Sequence, residues 1–307
     1  MNVLSDRRLG IIYTFSAFSI WGFLTVYWKW LAAIPSWVVL AHRIIWAFVF
    51  MMLVIALRRR FRCLCLKTIE LIHQPKQLLI VFAGSLAIST NWMLYVWAVG
   101  HQHVLDASLG LFMIPLVSML IGILFFKERS DAWGWLSLAL AFTGVLLVTV
   151  HFGVVPWLAL ALAATSGMYS FCKKIIKLDA LIGMSIETLL IVPIAVVVLT
   201  VHTYTTSGLQ TAFSGTTALL LIGAGILTAL PLIWFAEGAK RIPLTMIGFF
   251  QYMTPSSAFL IGVFLFHESM DRIQFLSFLF IWCAICIYAW REVSRNAAGK
   301  RSAHASL

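Results

Sequence analysis

Ionisable side chains are scarce inside the long apolar runs of this 307-residue sequence, and those few set its chemistry. His42 and Arg43 lie in one run and Glu187 in another. A guanidinium presents a planar fork of donors that matches a carboxylate or a phosphate. A carboxyl group away from water can hold a proton or answer a cation. Inside an apolar helix each such charge costs about 2.5–3.5 kcal/mol on insertion scales, so it needs a partner or a wet cavity. Arg43, with His42 beside it, reads either as a binder of an anionic group or as half of a structural ion pair. Glu187 reads as a proton carrier or as a permanent counter-ion of Arg43 or His42 across a cavity.

Polar and aromatic residues extend this set. Asn91 and Tyr95 are four apart and share a helix face with room for Trp92 beside them. Trp21, Phe112, Tyr169, Trp234, Phe250, Gln251 and Tyr252 add rings and hydrogen-bonding groups that either line the same cavity or pack between helices. Asp106 stands where a helix begins, so it reads as an N-terminal capping carboxylate or as a further ion-pair or proton group. Glu128 and Glu268 stand at matching helix ends, where a gate would form.

The elements that position these residues follow from composition. Hydrophobic residues make up 62% of the chain and charged ones 11%, against about half and a quarter in soluble domains, so lipid is the expected solvent. Apolar runs fall at 9–31, 37–57, 78–99, 104–126, 133–150, 154–172, 180–201, 216–236, 244–266 and 273–290, each of spanning length. With the N-terminus inside, 19 of the 22 Lys and Arg residues fall in cytoplasmic segments and one, Arg272, outside. That asymmetry orients ten helices with both termini cytoplasmic, and it makes the net charge of +11 a topology signal in place of a nucleic-acid footprint. The segment from Arg58 to Lys76 is expected along the inner leaflet, against anionic lipid.

An internal repeat divides the chain. Pro115, Leu120, Ile121, Gly122, Phe126, Glu128 and Asp131 recur 140 residues later as Pro255, Leu260, Ile261, Gly262, Phe266, Glu268 and Asp271. Five helices per half is an odd number, so the second half runs inverted through the membrane. The expected fold is therefore all-α membrane, two inverted five-helix repeats over 1–152 and 153–293, with a disordered basic tail over 294–307. Inverted halves of this kind exchange conformations to expose one site alternately to either side.

Trp21-Gly22, His42-Arg43-Ile-Ile-Trp46, Asn91-Trp92, Asp106-Ala-Ser-Leu-Gly110, Pro115, Glu128, Gly248-Phe-Phe-Gln-Tyr252, Pro255 and Glu268 resemble the RarD type of the EamA family, in the drug/metabolite transporter superfamily. The resemblance spans nearly the whole chain. It implies a bacterial inner-membrane permease with a central cavity between its halves. The expected function is secondary transport of a small organic solute by alternating access, with proton-coupled export as one form. An amino acid, another metabolite or a drug-like molecule fits, zwitterionic or anionic. The alternatives are a membrane enzyme or a channel-like facilitator using the same cavity. Zinc, nucleotide-loop and nucleophile-elbow motifs are absent from the sequence, so no enzyme activity, metal or cofactor is expected.

Overall fold

The computed structural model describes residues 3–127, 132–153, 155–176, 178–206, 215–239, 241–242 and 250–305. The helices are α1 (Val3–Trp30), α2 (Ser36–Leu57), α3 (Phe61–Ile72), α4 (Pro75–Gly100), α5 (Val104–Phe126), α6 (Ala132–Phe152), α7 (Trp157–Ile175), α8 (Ala180–Thr206), α9 (Gly215–Ala239), α10 (Met253–Leu260, continued by a π turn Ile261–Leu265) and α11 (Arg272–Ala305). No strand occurs among the described residues. Lipid offers no partner for free backbone N–H and C=O groups, so apolar runs of this length must satisfy them internally as helices.

Among the described residues, six stretches are long and apolar enough to cross a membrane by length and composition: Asp6–Trp30, Ser36–Leu57, Pro75–Gly100, Ala132–His151, Leu181–His202 and Gly215–Phe235. Val104–Ile114, Met253–Leu265 and Arg272–Ile287 are shorter apolar helices. Each of the ten apolar runs falls on a helix as far as its residues are described. The basic segment after α2 forms a helix of its own. In α3, Leu64 and Leu71 face inward while Leu66, Ile69 and Ile72 stay exposed.

The stretch from residue 294, which composition reads as a disordered tail, is helical to Ala305. Its Ala, Arg and Lys residues are good helix formers, so α11 runs on past its apolar segment.

Two positions 140 residues apart share a backbone conformation. Lys127 ends α5 at φ 53°, and His267, its counterpart, follows the π turn at φ 52°. The hydrogen bonds differ by one residue: the Gly122 carbonyl accepts the N–H of Lys127, and the Gly262 carbonyl accepts that of Glu268, one past the counterpart of Lys127, at 3.0 Å.

Helices from the two ends of the chain interleave. Leu24 and Trp28 of α1, Val39 of α2 and Val96 of α4 share one buried cluster with Leu221 and Ala224 of α9 and Ala258 of α10. A second cluster joins Met51 and Ile55 of α2 to Ile182 and Ile186 of α8.

Candidate functional site

Arg43 is buried on α2, and its Nε donates a 2.6 Å hydrogen bond to the hydroxyl of Thr228 on α9. Two indole rings flank the guanidinium, Trp92 of α4 at 4.2 Å and Trp28 of α1 at 4.8 Å from carbon to ring centroid. Such cation–π contacts offset part of the desolvation of a buried guanidinium. No carboxylate pairs with Arg43 among the described residues. His42, the preceding residue, is buried too. One turn along α4 from Trp92, the phenol of Tyr95 hydrogen-bonds Thr25 of α1 at 2.7 Å. Four helices, three from the first half of the chain and one from the second, thus hold Arg43 in place.

Glu187 is not the partner of Arg43 or His42 that its position in the sequence suggests. Its carboxylate pairs with the ammonium of Lys173 and accepts a 3.0 Å hydrogen bond from the Tyr169 hydroxyl. Tyr169 and Lys173 are four apart and so share a face of α7, and the Lys173 ammonium lies 5.3 Å from the Tyr169 ring centroid. That face meets the face of α8 that carries Glu187. Helix α7 runs to Ile175, three residues past the apolar run, and this extension brings Lys173 onto the helix. The apolar run ends at residue 172, so the sequence alone places Lys173 just beyond the span.

Glu187 also lines a narrow cleft between α2, α4 and α8, with Ile44, Ser85, Ser89, Trp92, Met184 and Thr188 among its walls. Trp92 therefore belongs to both arrangements. It stacks on Arg43 and borders the cleft that Glu187 closes.

Other candidate residues do different work. The amide nitrogen of Asn91 sits 2.8 Å from the Leu162 carbonyl, 2.9 Å from Thr165 Oγ1 and 3.0 Å from Ser166 Oγ. It clasps α4 to α7 and does not face the cleft. Phe112 packs against Phe278 and Trp282 of α11. Trp21 sits against Phe18 and Phe235 in a cluster that also holds Phe250. Tyr252 packs onto the cluster of Phe112 and Phe259. Gln251 is exposed and Trp234 is half-buried on α9.

The helix-end carboxylates divide. Asp106 pairs with His103 at 3.1 Å, one turn back. The free amides of α5 are capped instead by Glu268, whose two carboxylate oxygens accept from Val104 and Leu105 N–H at 2.9 Å each. Glu128 lies outside the described residues.

A network that the sequence reading missed closes the opposite end of α1. Arg241 donates to Asp6 at 3.0 Å and to Glu237 at 2.7 Å, and Glu237 also lies 3.5 Å from Arg58. The bond to Glu237 first, then that to Asp6, pushes the Arg241 guanidinium above its ordinary value. No group of three or more His, Cys, Asp or Glu side chains suited to a metal occurs among the described residues.

Known proteins resemble this chain closely. The profile of the EamA-like transporter family matches residues 8–150. An uncharacterized transporter, YojE, of Bacillus subtilis (strain 168) is 39% identical over 296 residues, covering 96% of this chain and 98% of its own length. Protein RarD of Escherichia coli (strain K12) is 36% identical over 287 residues, 92% of this chain and 94% of its own. A chain of known crystal structure, 15% identical, superposes with a TM-score of 0.59 over 92% of this chain and 97% of that one, and so shares its fold. With multiple apolar helices and relatives of this kind, the protein is a multi-pass bacterial inner-membrane transporter. The chain belongs to the EamA-like transporter family, in its RarD type.

Proposed function

We propose that this protein is a secondary transporter that carries a small carboxylate- or phosphate-bearing organic solute by alternating access, with Arg43 as the group that holds the anion. The observation that carries this reading is a buried guanidinium with rings on two sides, one hydroxyl contact and no carboxylate partner among the described residues. A permanent structural cation in an apolar interior would be expected to have its counter-ion built in. Arg43 is poised to receive one from outside.

Its surroundings come from both halves of the chain, as an alternating-access site between two inverted five-helix units (1–152 and 153–293) requires. Trp92, Trp28 and Tyr95 supply flat apolar surface for the body of the solute. Glu187, on the cleft side of Trp92, is the candidate for coupling to protons. Glu268 at one end of α5 and the Arg241 network at the other end of α1 serve as closures of opposite faces.

Uptake into proteoliposomes of an amino-acid and antibiotic panel, with and without a pH gradient, tests this reading. At least one carboxylate-bearing member is expected to enter saturably, and Glu187→Gln is expected to remove any dependence on the gradient. Non-saturable entry would indicate a channel, and chemical conversion of a panel member in detergent would indicate an enzyme.

A further inference from the structure

Helix α3 is tied to the bilayer at both ends. Three residues separate it from α2 and two from α4, so it runs along one membrane surface and cannot leave it. Its basic flanks mark that surface as the cytoplasmic one. Leu64 and Leu71 face the protein core. Beside them Phe61, Cys65, Ile69 and Ile72 recur at helical spacing as one exposed stripe. An apolar stripe on a helix held at this depth is covered by lipid at the boundary of headgroups and acyl chains.

The cations of the same segment fall into two sets. Arg62 lies beside the stripe, one turn before Cys65 and two before Ile69, and Arg59 and Lys76 flank the helix. All three are exposed and meet no carboxylate among the described residues. Arg58 and Arg60 are engaged, with Glu237 near the end of α9 at 3.5 Å and with Asp179 just before α8 at 3.2 Å. Asp179 also accepts from the backbone N–H of Leu181 at 3.2 Å, so Arg60 bears on the start of α8. Lys67 is answered by Glu70 on its own helix at 2.6 Å. One segment thus carries free cations next to a lipid-covered stripe and holds the second half of the chain with two more. Exposed ion pairs of this sort contribute little, so a phosphate headgroup can replace the carboxylate at either arginine.

We infer that α3 is an interfacial binding site for anionic phospholipid, and that this lipid loosens the closure formed by the Arg241 network. Arg59, Arg62 and Lys76 draw anionic headgroups to α3, and at the α2–α3 turn Arg58 and Arg60 exchange Glu237 and Asp179 for phosphate. Glu237 is shared between Arg58 and Arg241, and Arg241 reaches Asp6 of α1. Losing Arg58 therefore removes one of the links that tie α1, α2 and α9 at this face. The lipid site is independent of the anion role of Arg43; its effect on the inner face rests on the closure proposed above. One basic group near an anionic surface favours that surface about fivefold, so the cluster prefers anionic to neutral lipid by at least that factor. Thr14 reports on the closure. It is fully buried on α1, and a Cβ at Gly238, next to Glu237 on α9, would collide with its hydroxyl. A thiol at that position reacts only when α1 and α9 part.

The test uses the full chain in phosphatidylcholine nanodiscs. With Cys65, which is exposed, as the sole cysteine, a fluorophore on its thiol is quenched by acyl-brominated lipid, added as phosphatidylglycerol or as phosphatidylcholine. Brominated phosphatidylglycerol is expected to reach half-quenching at about one-fifth of the mole fraction of its neutral counterpart, or less. Arg59→Gln, Arg62→Gln and Lys76→Gln together are expected to abolish that preference. Equal quenching by the two lipids, none by either, or a preference kept by the triple variant would overturn the lipid site. For the closure, Thr14→Cys as the sole cysteine is expected to react several times faster with a membrane-impermeant thiol reagent when phosphatidylglycerol is present. A rate indifferent to that lipid would overturn the coupling. Arg58→Gln with Arg60→Gln is expected to react fast in both lipids. A slow reaction there would overturn the closure, and with it the coupling, while the quenching result stands on its own. Should Thr14→Cys not fold, hydrogen exchange at the end of α9 in the wild type provides the second measurement. It is expected to quicken with phosphatidylglycerol, and an unchanged rate would overturn the coupling.

Discussion

The carboxylate of Glu268 and the backbone of Val104 lie 164 residues apart in the chain and 2.9 Å apart in the fold. Glu268 spans the first two amides of α5 with both oxygens, a charge-assisted cap set against the positive end of the helix. Val104 itself is fully buried, in the cluster that joins α1, α2 and α4 to α9 and α10.

Replacing Glu268 by Gln leaves one acceptor for two amides and removes the charge. The loss expected is about 1 kcal/mol, typical of a helix cap, and it falls on the closure of that face. In a background with the five native cysteines replaced, Val104→Cys should react several times faster with a membrane-impermeant thiol reagent when Glu268→Gln is added. An unchanged rate would mean that Glu268 does not hold this end shut.

Asn91 is expected to matter for stability more than for solute binding. Its amide bridges α4 to Leu162, Thr165 and Ser166 of α7. Interhelical hydrogen bonds of this kind contribute about 0.6–2 kcal/mol in membrane proteins. Asn91→Ala should lower the thermal midpoint in detergent while leaving solute affinity within twofold. A selective loss of affinity would return Asn91 to the solute site.

The Arg241 network should be weak and sensitive to salt. Its members are partly exposed, so each pair contributes little and is screened by ions. Arg241→Ala should therefore lower the thermal midpoint at low ionic strength and match the wild type in about 0.5 M salt, where the Debye length is about 4 Å. Because the folded state raises the Arg241 value, its stabilisation is fully present below the ordinary arginine value and is lost only above the raised one. Between about pH 7 and 10, the difference between the two proteins should stay constant.

Much of the architecture was legible because lipid imposes one rule on every apolar run. The runs at 9–31, 37–57 and 78–99 coincide with α1, α2 and α4, and Arg43 stood out as a charge in such a run. Partners were harder to read. Lys173 was hidden by a boundary error of three residues, enough to move it from a loop to the face of α7 beside Tyr169. Asp106 occupies the right place for a cap by spacing alone, but the amides it would serve are taken by Glu268, a contact that no local pattern encodes. Phe112 and Trp21 show the matching limit for aromatics, since a ring facing a cavity and a ring facing another helix have the same sequence signature.

The role of Arg43 is tested most directly by exchange in proteoliposomes of whichever carboxylate-bearing solute the panel identifies, compared between the wild type and Arg43→Gln. The account predicts saturable exchange by the wild type and at least a tenfold loss in Arg43→Gln, with the thermal midpoint retained. Exchange by Arg43→Gln at the wild-type rate would contradict it.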